Sequence, residues 1–335
     1  MPRDTHQKRE TLQRRLKSLK MRLKGTHGII VLDKPAGLTS RRAAEKVRMA
    51  LGAVKAGHTG TLDPLATGVL VVCLGRATLL SSYLAGEKKQ YLATAVLGIT
   101  TDSYDIEGVV VREEGAEAIT REQVASALKE FSGSIIQTPP PFSAVKHRGK
   151  PLYHYARKGE AVEAEARPVS IFSISLESMT RFGNRTLVDL QVTCGPGTYV
   201  RSLVNDLGRI LGCGACLVSL RRTRSGAFGL AESVKLYELV RRAPVKRREL
   251  VVTMERATDW MPTAVVGNEG ESRVRCGRPL TLSDLARTFE VGADPFRVVN
   301  NDGELLAIYV NRGGPGDAPI LGSPARVIRP AGRAE

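Results

Sequence analysis

Two short apolar runs constrain this chain more than anything else in it. The first lies in 28-GIIVLDKPAG-37 and stops at Lys34-Pro35 and a glycine. The second is 69-VLVVCLG-75. Apolar runs of this length, cut by Gly and Pro, read as buried strands. Between them Thr39 or Ser40 can cap a helix over 41–51, which places Ala44, Val47 and Leu51 on one face. The loop 57-GHTGTLDPLATG-68 leads into the second strand. It carries a single carboxylate, Asp63, among Gly, Thr and Pro.

The remaining pattern alternates strand and helix irregularly. A short helix is expected over 77–84, and 91-YLATAVLG-98 is rich in strand formers. A turn at 102-DSYDIEG-108 leads to the strand 109-VVV-111. Thr120 with Gln123 three residues on is a capping box for a helix over 120–131. Residues 138–168 begin in TPPP, end at Arg167-Pro168 and carry several cations, so they read as an excursion from the core. The alternation in 186-TLVDLQVT-193 marks a strand. Leu203, Leu207, Ile210 and Leu211 mark a helix, and 215-ACLVSLRRTRSGAFGL-230 reads as a strand with a basic end. The class is α+β rather than regular βαβ. From 251 onward short strands and Gly/Pro-rich turns suggest a small β-rich domain.

Charge narrows the function. Fifty Lys+Arg oppose 34 Asp+Glu, a net charge of +16. Such an excess points to a polyanion, nucleic acid or an anionic membrane surface. The part from Val251 onward holds ten arginines, no lysine and eleven acids, so nearly all of the positive charge lies before it. That shift argues for a domain boundary near 250, with 241-RRAPVKRRE-249 as the connection. Residues 1–24 hold nine Lys+Arg, two acids and a leucine stripe at 12, 16, 19 and 23. They read as a basic extension: a solvated tail with a nascent helix, or an arm that touches RNA phosphates. No run is long and apolar enough to span a bilayer, and the N-terminus lacks a secretory apolar core. Five cysteines, an odd count, suit free thiols in a reducing compartment. A cytoplasmic location is expected.

The motifs exclude several chemistries. The 57–68 loop has no lysine and leads into a strand, unlike a phosphate-binding loop. Cys213 and Cys216 form one CxxC with no second pair at a zinc-finger distance. Neither GxSxG nor HExxH occurs. No metal and no cofactor are expected. From the residues alone, Asp63 is equally a turn cap or a functional carboxylate.

Six ordered blocks shift that balance. They are 29-IIVLDKPAGLTS-40, 56-AGHTGTLDPLATGVL-70, 88-KKQYLATAVLG-98 with 101-TDSYDIEG-108, 143-SAVKHRGKPLYHYARKG-159, 195-GPGTYVRSLVNDLG-208 and 219-SLRRTRSG-226. With them the chain closely resembles the TruB family of pseudouridine synthases. The resemblance implies a pseudouridine synthase catalytic domain over 28–249, with a mixed sheet flanked by helices around an RNA-binding cleft. The excursion at about 138–168 would be its thumb-like insertion. Residues 250–335 resemble a PUA-like RNA-binding domain on 275-RCGRPL-280, 297-RVVNNDGELLAIYV-310 and 325-ARVIRP-330.

The resemblance also implies an activity, isomerisation of the T-loop uridine of tRNA, position 55 in tRNA numbering. Asp63 is the implied catalytic residue, acting as nucleophile at C1′ or as base toward a sugar proton. Arg201 is implied as its ion partner, and the basic surroundings are expected to lower its pKa. Tyr91 would stack on the extruded base, and His58 would help extrude or hold the flipped bases. Tyr199 and Leu220 match pocket positions. Asp105 matches a polar residue near the flipped nucleotide, and Lys34 a lysine beside the pocket. Lys146, Arg148, Lys150, Arg157 and Lys158 would contact phosphates. The expected partner is the tRNA T-arm stem-loop, with no membrane and no protein partner required, and the chain a monomer. Two alternatives stay open: a non-catalytic tRNA-binding or folding module, and a guide-RNA-type synthase.

Overall fold

A computed structural model describes residues 25–328 apart from 87, 161, 163, 184, 291 and 312–319. The basic extension lies outside the described residues.

The first apolar run is strand β1 (Gly28–Lys34), buried along almost its whole length. Helix α1 (Ser40–Leu51) follows, as its spacing predicts. The Thr39 hydroxyl accepts from the Arg42 amide at 3.2 Å and caps it, and Gly52 closes it in the left-handed region at φ +62°. Strand β2 (Ala56–Thr59) and the second apolar run, β3 (Thr67–Leu74), bracket the Asp63 loop. The expected helix over 77–84 forms as a 3₁₀ turn (Gly75–Leu80) followed by a short α-helix (Ser81–Ala85).

Strand β4 (Lys89–Leu97) is central to the sheet, and the small hairpin of β5 (Ile99–Thr101) and β6 (Val110–Glu113) follows it. The Thr120 capping box opens helix α2 (Arg121–Leu128). Strand β7 (Gly133–Gln137) then enters the excursion, which contains β8 (Lys146–His147), β9 (Lys150–Pro151) and helix α3 (Leu152–Ala156). Strand β10 (Arg167–Phe182) leaves it. Gln137 pairs with Arg167, so the excursion springs from two adjacent strand ends. Strand β11 (Arg185–Cys194), helix α4 (Val200–Leu211) and β12 (Ala215–Ser225) complete the frame. The strand expected to continue to 230 breaks at Gly226, where φ is +58°, and doubles back as β13 (Phe228–Gly229). A backbone at positive φ suits glycine and ends the ladder.

With β14 (Val234–Lys235) the main sheet has ten strands, in the order β14-β1-β3-β12-β4-β11-β10-β7, with β2 on β3 and β13 on β12. It is mixed: β1/β14 and β3/β12 run parallel, the other pairs antiparallel. One face packs α1, α2 and α4 through Ala43, Val47, Val124, Leu203 and Leu207 against Ile30, Leu70 and Ala95.

The basic run 241–249 is helical rather than a bare connection. Helix α5 (Leu236–Arg241) and helix α6 (Pro244–Arg248), with Pro at its start, lie against α1, and Arg247 Nη1 donates to the Ala50 carbonyl at 2.9 Å. Past it the chain still pairs with the main sheet, since Ile29 and Val252 exchange both backbone hydrogen bonds at 2.8 Å. The C-terminal domain is a five-stranded sheet in the order β15 (Thr263–Val265), β17 (Phe296–Val299), β18 (Leu305–Val310), β19 (Ile320–Val327), β16 (Leu280–Thr281). Its curled, PUA-like form has its own core of Phe296, Val298, Tyr309 and Val274. A second apolar cluster joins the domains: Ile29, Val31, Val71 and Cys73 from the back of the main sheet meet Met254, Met261, Leu305 and Ile308.

Candidate active site

The Asp63 loop is fixed at successive residues. Arg222 Nη2 donates to the Gly60 carbonyl at 3.0 Å. The Ser40 hydroxyl donates to the Leu62 carbonyl at 2.9 Å and accepts from the Leu62 amide at 2.8 Å. The Asp63 carbonyl accepts from the Ala66 amide at 3.1 Å. The Pro64 carbonyl accepts from Lys34 Nζ at 3.2 Å and from the Gly37 amide at 2.9 Å. Because Thr39 takes the helix cap, Ser40 is free for the loop. Buried main-chain groups held by buried side chains give a loop with little freedom.

Glycines permit the close approach. Gly60 has φ +76°, and a Cβ there would stand 3.1 Å from the Lys89 side chain. Gly68 has φ +98°, and a Cβ there would stand 2.2 Å from the Arg222 carbonyl oxygen. Both conformations are strained for any residue with a Cβ.

Arg201 organises the carboxylates. It sits in the first turn of α4 and its side chain is 4% exposed. Nε lies 2.9 Å from Asp63 Oδ2, an ion-pair contact without hydrogen-bond alignment. Nη1 lies 3.2 Å from Asp105 Oδ2 and donates to the Ser103 carbonyl at 2.9 Å. Nη2 donates to the Phe142 carbonyl at 2.9 Å. One guanidinium thus joins the Asp63 loop, the 102–108 turn and the root of the excursion.

Asp63 keeps 30% of its side chain open to solvent. The expectation that basic surroundings lower its pKa does not hold. Burial pushes the carboxyl above its ordinary range, Arg201 and Lys34 oppose the rise, and Asp105 adds to it. Desolvation outweighs the ion pair.

Asp105 is buried and committed. Its Oδ1 accepts from the Ser103 hydroxyl at 2.7 Å and the Glu107 amide at 3.1 Å, and Oδ2 faces Arg201. Lys34 is fully buried. Its ammonium donates to the carbonyls of Pro35 at 2.9 Å, Leu38 at 2.7 Å and Pro64 at 3.2 Å. Burial pushes its pKa down to about 8, against the pull of Asp63 and with the help of Arg222. Both residues therefore hold the site from behind rather than line an open surface.

Tyr91 and Leu220 are buried on β4 and β12, within the cluster that contains Leu62 of the loop. Burial raises the Tyr91 phenol's pKa, with Arg222 opposing. His58 is half-buried on β2. Burial, then the charge of Arg222, pushes its pKa down, and its Nδ1 has no hydrogen-bond partner among the described residues. Tyr199 precedes α4, where Gln137 grips its backbone: Oε1 accepts from its amide at 2.8 Å and Nε2 donates to its carbonyl at 3.1 Å. The Arg167 guanidinium stands 5.4 Å from the Tyr199 ring centre and donates to the Gly197 carbonyl at 2.8 Å. Both feet of the excursion thus lock onto the segment that carries Arg201.

The five expected phosphate contacts, Lys146, Arg148, Lys150, Arg157 and Lys158, are all exposed on the excursion. Arg148 (φ +46°) and Gly149 (φ +83°) form the tight turn between β8 and β9. Lys158 lies 3.8 Å from Glu160, which offsets part of its charge.

Sequence reasoning missed Arg222. It is fully buried, with Nε donating to the Val69 carbonyl at 2.6 Å and Nη2 to Gly60, so it ties both shoulders of the Asp63 loop. The available signal was an arginine in register with Leu220 on the buried face of the strand in 219-SLRRTRSG-226. Among the described residues no group of His, Cys, Asp and Glu is arranged to hold a metal ion. None of their helices is long and apolar enough to cross a membrane.

Comparison with known proteins identifies the family. Residues 48–200 match the model of the TruB family pseudouridylate synthase N-terminal domain. Residues 201–258 match the tRNA pseudouridylate synthase B C-terminal domain. The chain is 47% identical over 224 residues to a tRNA pseudouridine synthase B of Tolumonas auensis, which covers 66% of this chain and 68% of that one. A counterpart from Chromobacterium violaceum is 44% identical over 253 residues, 76% of this chain and 81% of that one. Among solved structures, a chain of a Cbf5-Nop10-Gar1 complex superposes with a TM-score of 0.71 at 27% identity, covering 91% of this chain and 86% of that one. The chain belongs to the TruB family of pseudouridylate synthases.

Proposed function

We propose that this protein converts uridine 55 in the T-loop of tRNA to pseudouridine, with Asp63 as the catalytic carboxylate. The observation that carries the reading is Asp63 itself: partly open to solvent, on a loop held at Gly60, Leu62, Asp63 and Pro64, and paired with a buried arginine. A turn cap needs none of this.

The reaction is an isomerisation. The N1–C1′ bond breaks, the base rotates, a C5–C1′ bond forms, and the C5 proton is lost while N1 gains one. Atoms and electrons balance without an oxidant or cosubstrate. Asp63 acts as nucleophile at C1′ or as base toward a sugar proton. Either role uses the ionised form, and Arg201 supplies the charge that supports it against burial. The target base is stacked in the T-loop, so it is flipped out at a cost of a few kcal/mol. Stacking on Tyr91 returns about 1–3 kcal/mol. His58 stands beside the loop to hold the extruded strand, Tyr199 and Leu220 complete the pocket walls, and the excursion clamps the T-arm.

The stand-alone tRNA enzyme is favoured over a guide-RNA type by identity. Relatives named tRNA pseudouridine synthase B reach 50%, against 27% for the Cbf5 structure. The test is to incubate the purified protein alone with an unmodified tRNA transcript and map pseudouridine by chemical derivatisation and primer extension. Modification at 55 without guide RNA or added protein supports the reading. Modification at another uridine removes the position assignment.

A further inference from the structure

A cavity of about 510 Å³ opens beyond the ends of β1 and β14, between α1 and α5 and behind the Asp63 loop. Its volume lies within the range of small-molecule sites. Its floor is Asp33, gripped by Arg221 through Nη1 to Oδ1 at 3.1 Å and Nη2 to Oδ2 at 2.9 Å. That pair cancels its own charge, and the Lys34 ammonium is turned away onto backbone carbonyls. Lys46 and Lys235 remain, both exposed, so the cavity is lined by two uncompensated cations. The wall of α5 adds Leu236 and the ring of Tyr237, which is 56% exposed although it is a large aromatic residue.

We propose that this cavity is a second nucleotide site: a base stacks on Tyr237, and its phosphate is held by Lys46 and Lys235. An aromatic platform beside paired cations is the arrangement that single-stranded nucleic acid selects. Further exposed cations flank these elements in sequence, Arg42 one turn before Lys46 on α1 and Arg241 one turn after Tyr237, its guanidinium 5.9 Å from the Tyr237 ring centre. The occupant is a nucleotide of the bound RNA other than the target uridine, an identification that rests on the RNA substrate proposed above. Pro35 and Thr67 line the cavity, while the Lys34 tether joins that wall to Pro64. An occupant would therefore press on the frame of the catalytic loop.

The test measures equilibrium binding of tRNA transcript, and separately of adenosine 5′-monophosphate, to the full-length protein over a range of salt. The wild type is compared with Tyr237→Ala, Tyr237→Phe and the double variant Lys46→Ala/Lys235→Ala. Tyr237→Ala is expected to weaken RNA binding by about 5- to 150-fold, the equivalent of one stacked base, and Tyr237→Phe to restore it. The double variant is expected to lower the slope of log affinity against log salt by roughly 0.7–0.9, the loss of one neutralised phosphate. If only the mononucleotide responds to the variants, the site takes a free nucleotide and the RNA assignment is wrong. If the wild type binds the mononucleotide but no RNA, the substrate proposed above fails while the site stands. RNA affinity and salt slope unchanged in every variant, with no mononucleotide bound, would overturn the site itself.

Discussion

Arg201 Nε stands 2.9 Å from Asp63 Oδ2, and the same guanidinium reaches Asp105 at 3.2 Å. One buried cation thus serves two carboxylates, one open to solvent and one closed. Replacing Arg201 with Gln leaves Asp105 without its ion partner and Asp63 with only the weaker pull of Lys34. Breaking a buried pair costs about 3–5 kcal/mol, with the lower end expected here because Asp63 is partly exposed. The Asp63 pKa should rise further, so the acid limb of the pH–rate profile should move to higher pH. Single-turnover rates across pH, with urea unfolding of the same variant, check both parts.

Asp63 is also a stability cost. Its folded pKa lies above the unfolded value, so its contribution favours the folded state fully below the unfolded pKa, near 3.9, and is lost as pH rises through the folded value. At neutral pH the ionised carboxylate therefore strains the fold. Asp63→Asn should unfold at equal or higher urea concentration than the wild type at pH 7, and the advantage should vanish as pH falls toward 4. A variant clearly less stable at pH 7 would contradict this reading.

Lys34 gives the opposite limb. Its folded pKa of about 8 lies below the unfolded value, so its contribution to stability is present above the unfolded pKa, near 10.4, and lost as pH falls through about 8. Activity should run the other way. Above pH 8 the neutral amine has two N–H donors for the carbonyls of Pro35, Leu38 and Pro64, and the loop tether weakens. Turnover should decline on the alkaline side near pH 8. Lys34→Met should remove that limb and lower kcat at pH 7 by more than it raises KM, which steady-state kinetics across pH will measure.

Much of this was legible in the chain. The two apolar runs, the Thr120 capping box and the leucines of α4 gave their elements because local spacing decides them. The excursion was visible because TPPP cannot continue a ladder, although Arg167-Pro168 at its other end opens β10 and pairs with β7. What local pattern cannot supply is the partner across space. The sheet order, the docking of 241–249 on α1 and the burial of Arg222 all depend on how distant segments meet. The sign of the Asp63 shift was misread for the same reason. Composition reports how much positive charge the chain holds, whereas the pKa depends on how much water the fold removes from one carboxyl.

The excursion should govern affinity without choosing the base. Replacing Lys146, Arg148 and Lys150 together with Ala should weaken tRNA binding and reduce the salt slope by roughly 0.7–0.9 for each phosphate no longer neutralised. The modified position should stay the same, because phosphate contacts position the RNA rather than read it. Filter binding over a range of salt, paired with modification mapping, checks both.

If Asp63 performs the chemistry on a bound tRNA, its loss removes modification and spares binding. The most direct measurement compares wild type and Asp63→Asn on one T-arm stem-loop, reading RNA affinity and pseudouridine at position 55 in the same samples. Full modification by the wild type and none by Asp63→Asn is expected, with affinities within a few-fold of each other. Modification by Asp63→Asn, or RNA left unmodified by a wild type that binds it tightly, would contradict it.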